Sequence, residues 1–475
     1  MTTLVWLRQD LRLADNPALL EAARLGAVLP VYILDERAPR PLGAASQWWL
    51  HHSLASLRTT LKNLVLLRGD PVALLPELVR QSGAARVHWN RCYEPHAIAR
   101  DRALKAALKE QGVDVQSFNG ALLNEPWEIT TGFGGPYKVY TPFWRACQKL
   151  PLHPPSPAPK LTLAKRPAAS LDLTGLDLQP KPVDWAKGWD ALWQPGEAGA
   201  SKRLEAFVAH GLKGYAELRD RPGLANTSRL SAHLHFGEIS PRQVLARVRF
   251  AAAADPALQR DTDKFAAEIG WREFAQHLLY HFPDMPTRNW KAGFDAYPWA
   301  SSAQHLRAWQ RGQTGYPLVD AGMRELWRTG TMHNRVRMVA ASFLTKHLRS
   351  DWRQGEAWFW DTLLDADLAN NVAGWQWVAG SGADAAPYFR IFNPVAQGER
   401  FDPEAAYVKR WCPELKRLPG KVVHAPWLAP VEILRAAGVV LGKTYPRPIV
   451  DHAEARAAAL AGYERVKGGD TAERK

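Results

Sequence analysis

Cysteine is scarce in this chain. Cys92, Cys147 and Cys412 are the only three, they lie far apart, and no C-x-x-C pair exists. That excludes a disulfide framework and a cysteine-built zinc site, and it fits a reducing cytoplasm. No apolar run is long enough to span a bilayer, so no membrane partner is expected. The start M-T-T-L-V-W-L-R-Q-D-L-R brings charge too early for a secretory leader. Acidic residues are in deficit, 47 against 61 Lys and Arg, for a net charge of +14. A basic protein of this kind favours an anionic partner, and nucleic acid is the first candidate.

What is present points to a soluble globular protein. The 475 residues are 46% hydrophobic and 23% charged, with room for two or three domains. Residues 1–130 alternate strand-like runs (Leu4–Leu7, Val28–Leu34, Leu64–Leu67, Arg86–Trp89) with helical patterns at 17–25, 46–62, 71–82 and 96–111. This alternation predicts an α/β domain with a doubly wound parallel sheet, which binds ligands at the carboxyl ends of its strands. Prolines crowd residues 151–200, so 131–200 reads as a largely irregular linker. Within it T-G-F-G-G-P-Y (131–137) lacks the Lys-Ser/Thr of a phosphate loop and reads as a turn. Residues 201–475 lose the strand patterns and form a mostly α-helical domain, with helices expected at 201–210, 240–253, 261–282, 302–311, 317–329 and 332–349. The tail G-G-D-T-A-E-R-K is expected to fray.

Several segments carry chemistry. In D-A-D-L-A-N-N-V-A-G-W-Q-W, beginning at Asp365, carboxylates and amides alternate with large aromatics, a mixture that suits a flat, nitrogen-rich cofactor. T-S-R-L-S at 227–231 offers hydroxyls and backbone N–H groups that can hold phosphate. Ser240-Pro241 reads as a helix N-cap with proline behind it. Phe265, Glu268, Trp271 and Arg272 share a helical face. The plainer reading of that face is a Glu268–Arg272 ion pair with Trp271 in the core. Asn334, Arg337 and Met338 share another face, and His333 points off it as a packed or capping residue. The 21 tryptophans read mostly as packing, although they cluster between Trp271 and Trp377.

Together these segments resemble the DNA photolyase and cryptochrome family over nearly the full length, most specifically over 227–415. The resemblance implies a helical FAD-binding domain behind an antenna-type α/β domain. It places Tyr215, Thr227, Ser228, Arg229, Leu230, Ser231, Phe265, Arg337, Asp365, Ala366, Asp367 and Asn371 on FAD. Arg337 would be the charge partner of Asp365. Arg219, Glu268, Trp271, Arg272, Asn334, Arg335, Trp377 and Gln397 fall where the family contacts DNA, and Trp299, Trp352 and Trp375 match its electron relay.

Glu268, Asn371 and Met338 fall at catalytic positions. Relatives acting on the 6-4 photoproduct place histidines at Asn334 and Met338, and neither residue here can move a proton at neutral pH. Plant cryptochromes carry an acid at Asn371, whereas a neutral amide does not repel a reduced, anionic flavin. The pattern therefore resembles a class I-like cyclobutane pyrimidine dimer enzyme, expected to be a monomer. A photosensory cryptochrome is the alternative, and the lack of a long C-terminal extension is expected to go with repair. A basic nucleic-acid-binding protein with a vestigial flavin fold is the remoter one. Folate-type relatives use an Asn-Glu pair where this chain has His96-Ala97. A second antenna chromophore (folate, deazaflavin or another flavin) or none is therefore left open.

Overall fold

The computed structural model describes the chain apart from residues 168, 180–183, 301, 386–388 and 473–475; side chains beyond residue 467 are not described either. The prolines at 180 and 182 and the last residues of the tail lie outside the described residues. The chain forms two compact units. One comprises Met1–Ala216, Thr227–Pro283 and Leu364–Ala369; the other comprises Glu217–Asn226, Asp284–Leu363 and Asn370–Lys475.

The first unit is built on five parallel strands. They are β1 (Thr2–Leu7), β2 (Ala27–Asp35), β3 (Val65–Gly69), β4 (Arg86–Asn90) and β5 (Asp114–Phe118), ordered β3-β2-β1-β4-β5. The expected doubly wound sheet is present. Helices α1 (Pro17–Leu25), α2 (Ala44–Thr60), α3 (Pro71–Ser82) and α4 (Pro95–Glu110) join the strands. Two of them start on side-chain caps followed by proline: Asn16 accepts from Leu19 N, and Asp70 accepts from Val72 N. Successive residues of β1 serve opposite faces. Leu4 and Trp6 belong to one core cluster, Val5 and Leu7 to the other, so both faces of the sheet are covered. β5 was not anticipated. Its sequence D-V-Q-S-F buries only Val115, the weak pattern of a short edge strand.

The 151–200 segment, expected as an irregular linker, lies within the first unit. Its described backbone is irregular but tied down: Val28 N donates to Thr162 O (2.8 Å), Ala164 N to Val28 O (2.8 Å), and Leu171 N to Leu66 O (2.8 Å). Trp189 is fully buried with its ring 5.3 Å from Trp48, and Trp193 lies 5.6 Å from Trp49. Burying indoles makes a strap of what composition alone reads as a tether. The 131–137 segment is a tight turn, as expected: Gly134 N donates to Thr131 O (2.9 Å) and Gly135 N to Thr131 Oγ1 (3.2 Å). The helices Pro241–Ala254 and Gln259–His281 complete this unit. Ser240 caps the former in a reciprocal pair with Gln243.

The second unit is helical. It holds Pro317–Thr329, Asn334–Ser342, Trp352–Thr362, Pro394–Phe401 and His452–Ala472, and Leu368–Ala379 from Asn370 onward. The helix expected at 332–349 is shorter than its pattern. It runs as α-helix over Asn334–Ser342 and widens into a π turn at Phe343–His347, where Leu348 N reaches back to Phe343 O (3.0 Å). The wide turn serves two buried polar side chains: Lys346 Nζ donates to Arg390 O (2.5 Å), and the His347 ring pairs with His452 (2.8 Å). No described helix is long and apolar enough to cross a membrane.

Candidate functional site

The candidate residues fall in both units, and each set has its own supports. In the first unit the Gln259–His281 helix carries four of them. Phe265 is buried, with its ring 4.6 Å from Phe207 and 5.4 Å from Tyr215. Tyr215 is held in place because the Asp261 carboxylate accepts from the N–H groups of Gly214 and Ala216, both at 2.8 Å. Glu268 is half-buried and pairs with Lys264 at 3.3 Å. The alternative Glu268–Arg272 pair gives way to this one. Arg272 instead donates to Glu273 Oε1 and to Ala121 O, both at 3.0 Å. Trp271 lies flat on Tyr140, with centroids 3.8 Å apart and planes 8° off parallel. One face of the half-buried indole is thus covered.

Sequence reading missed Tyr140 and Glu273. Nothing in the local pattern marks Tyr140, which lies more than a hundred residues from Trp271. Burial pushes the Glu273 carboxyl up to about 7, against the opposing pull of Arg272 and of the N–H groups of Leu123 and Asn124.

Two loops of the same unit carry the remaining candidates. In the 227–231 run Leu230 is buried, Thr227 and Ser228 are half-buried, and Arg229 and Ser231 are exposed. Arg229 takes a left-handed backbone (φ 52°) and sets its guanidinium 4.5 Å over the Trp193 ring. At 365–367 the chain turns tightly, Asp367 N meeting Asp365 O at 2.7 Å, and Ala366 is buried. Gln276 Nε2 donates to the buried Asp367 carboxylate at 2.9 Å. Gln276 also escaped the sequence reading.

In the second unit Asn371 Nδ2 donates to Glu356 Oε1 (2.7 Å) and to Glu356 O (3.1 Å). A carboxylate only accepts, so Nδ2 is committed and Oδ1 is the amide atom left for a ligand. Trp375 and Trp352 are buried. A Cβ at Gly355 would overlap the Trp375 ring, so a glycine three residues after Trp352 lets the two helices close together. Trp375 Nε1 is buried with no hydrogen-bond partner among the described residues. Trp352 Nε1 donates to Asn289 Oδ1 (2.9 Å), and Arg353 covers its ring at 4.8 Å. Trp299 is half-buried, 4.5 Å from Tyr297. Trp377 donates to Asp384 O (3.0 Å).

His333 is the cap of its helix, as expected, its ring accepting from Arg335 N (3.2 Å). Behind it Asn334 is exposed and Arg337 and Met338 are half-exposed, while Val336 and Val339 are buried. Arg337 Nε donates to Met332 O at 2.7 Å. Arg335 pairs with Asp220 (2.6 Å), beside the half-buried Arg219, and lies 4.5 Å over Phe401. Gln397 sits on the Pro394–Phe401 helix, which Asn393 caps, and its Oε1 is buried without a partner among the described residues.

At the carboxyl ends of β1, β2 and β4, charged side chains pair with one another. Arg8 meets Asp101 and Arg100 meets Asp35, both at 2.6 Å, and both guanidinium groups lie over Trp6 at 4.3 and 4.7 Å. His96 faces Glu94 at 3.6 Å.

These residues fit a flavin nucleotide. The buried Trp375 Nε1, which has no partner among the described residues, and the Asn371 oxygen left over by the Glu356 contact suit a polar aromatic ring; the hydroxyls of 227–231 suit a pyrophosphate. A doubly wound sheet followed by such helices defines a two-part flavoprotein. The family model described as DNA photolyase matches residues 3–160, and that described as FAD binding domain of DNA photolyase matches 265–465. The chain is 52% identical to a deoxyribodipyrimidine photo-lyase of Agrobacterium fabrum, over 98% of each. It is 41% identical to cryptochrome-1 of Arabidopsis thaliana, over 96% of this chain and 69% of that one. The solved structure of a bacterial class III photolyase from Agrobacterium tumefaciens superposes with a TM-score of 0.94 at 51% identity, covering 98% of each chain. The chain belongs to the DNA photolyase and cryptochrome family.

Proposed function

We propose that the chain is a deoxyribodipyrimidine photo-lyase, an enzyme that uses light to split cyclobutane pyrimidine dimers in DNA. The observation that carries this reading is the neutral amide of Asn371, held by Glu356 so that an uncharged oxygen is offered to the ligand. The 52% identity to the Agrobacterium fabrum relative supports it. The class I-like expectation yields to class III, the class of the Agrobacterium tumefaciens structure.

FAD is the cofactor of the matched family domain. When bound, reduced and excited by light, it supplies one electron to the dimer and takes it back after the ring opens. The chain's own residues position and polarise. Tyr215, Thr227, Ser228, Arg229, Leu230, Ser231, Phe265, Arg337, Asp365, Ala366, Asp367 and Asn371 would hold the nucleotide. The open face of Trp271 would stack against a base, the opposite face being taken by Tyr140. Glu268 would meet the pyrimidine edges, with Met338 beside the lesion. Arg219, Arg272, Asn334, Arg335, Trp377 and Gln397 would bind the DNA. Trp375, Trp352 and Trp299 would pass an electron inward to recharge the cofactor. The lesion would leave the helix to reach the cofactor, as photolyases in general require.

We place residues 1–130 as the antenna-type domain, 131–200 as the linker, and 201–475 as the catalytic domain. A second chromophore, if bound, would sit in the first of these. The enzyme would work as a monomer in the cytoplasm, which suits its three unpaired cysteines.

The test is dimer loss from an irradiated oligonucleotide, in light against darkness, with reduced FAD-loaded protein. Loss in light alone is expected. Equal dimer content in both arms would refute the reading and leave photosensory signalling as the family's other role.

A further inference from the structure

The turn at 131–137 plays no part in the site described so far, yet it is built with care. Thr130 and Pro136 pair as an antiparallel bridge, and Thr131 N donates to Gly135 O at 2.8 Å. Gly134 supplies the positive φ (80°) that closes the turn. At its tip, between two glycines, the Phe133 side chain stands wholly in solvent. A single exposed apolar residue is ordinary by itself. What sets this one apart is where the turn is fastened.

Both fastenings lie on the Gln259–His281 helix, the one carrying Glu268, Trp271 and Arg272. Tyr137 N donates to His277 Nε2 at 3.1 Å. The His277 ring is buried, and burial together with His281 pushes its pKa down to about 4, so it stays a neutral acceptor at ordinary pH. Three residues further on, Tyr140 lies flat on Trp271, and its hydroxyl donates to Ala267 O at 2.5 Å. Gly270 makes room for this contact: a Cβ there would stand 2.6 Å from the Trp144 ring and 2.9 Å from the Tyr140 hydroxyl. The tip is therefore tied to the helix that would read the lesion. Its surroundings are basic. From 128 to 149 the chain carries Lys138, Arg145 and Lys149, all exposed, against one acid, Glu128.

We propose that Phe133 is a wedge for duplex DNA: its ring occupies the stack beside the dimer as the dimer leaves the helix, while Lys138, Arg145 and Lys149 hold the neighbouring phosphates. The proposal rests on the repair reading above. An apolar side chain on a stiff tip is the usual means of holding an opened base step, and the basic flank matches a polyanion. Single-stranded DNA has no paired stack to hold open, so a wedge acts on duplex alone.

That difference gives the test. Affinity for one dimer-containing strand is measured alone and annealed to its complement, for FAD-loaded wild type, Phe133→Ala and Phe133→Trp. A 2-aminopurine placed opposite the dimer reports unstacking. Phe133→Ala is expected to lower the duplex-to-single-strand affinity ratio about tenfold, the scale of one lost aromatic–base stack. The 2-aminopurine signal should fall with it, and Phe133→Trp should keep both near wild type. An unchanged ratio, or an equal loss on both substrates, overturns the wedge. Light-driven repair of the single strand by wild type, run alongside, separates that outcome from failure of the repair reading itself.

Discussion

At the scale of single residues, Asn371 shows how a neighbour decides what a side chain offers. Its amide nitrogen is held by Glu356 at 2.7 Å. Asn371→Asp would set two carboxylates at that spacing, so the pair would retain a proton and one pKa would rise above its unfolded value. Stability gained from a raised carboxyl pKa is present at low pH and lost as pH rises through it. The variant's melting temperature should therefore fall, relative to wild type, between pH 5 and pH 8; a flat difference would remove Glu356 as the orienting group. Glu268 makes a separate case, because its ion pair with Lys264 is surface-type and contributes little to the fold. Glu268→Ala should lower repair efficiency roughly tenfold, the scale of one charge-assisted hydrogen bond, while bound FAD absorbance stays the same. Equal repair by variant and wild type would discard the carboxyl's role. The motifs that carry the candidate residues were legible from the sequence because they are contiguous. Their partners Glu356, Tyr140, Glu273 and Gln276 were not, since each is supplied by contacts that no sequence period encodes.

At the scale of elements, the close approach of two helices matters most. Gly355→Ala would drive a methyl group into the Trp375 ring, and overpacking of this kind costs about 1–3 kcal/mol. A lower melting temperature and slower flavin photoreduction are expected together; an unshifted melting curve would show that the helices have slack. Trp299→Phe probes the relay without touching that packing, since Trp299 is only half-buried. It should block photoreduction of oxidised flavin and spare repair by pre-reduced protein, read as flavin bleaching under blue light. Helix ends were well marked in the sequence where a cap and a proline coincide, as at Asn16-Pro17 and Ser240-Pro241. The π turn at Phe343–His347, whose Lys346 and His347 are buried, was not, because no local signal marks it. β5 was missed for the opposite reason: an edge strand buries too little to write a pattern.

For the whole molecule, buried ionisable groups set the response to pH. Burial holds His277 near 4 and His347 near 3, below the free value. A depressed histidine pKa adds stability that is present above the unfolded value and lost as pH falls through the folded one. Glu273, raised to about 7, acts in the reverse sense and favours the fold on the acid side. Among the described residues seven histidines are depressed in this way against three raised carboxyls, Glu273, Asp320 and Asp402, so the urea midpoint should drop as pH falls from about 6.5 toward 4. His277→Gln should make that drop shallower, since glutamine cannot take up the proton; an identical acid limb would show that the ring titrates freely in the fold.

The sequence by itself determined the sheet, the helical C-terminal half and the motif positions, because strand and helix periods, caps and contiguous motifs are local properties of a chain. Only the tertiary structure decided which face of Trp271 is covered, which amide atom Asn371 presents, and that the proline-rich segment is a strap. Those outcomes depend on atoms brought together from distant parts of the chain, and on a competition for burial that is settled only when the fold closes.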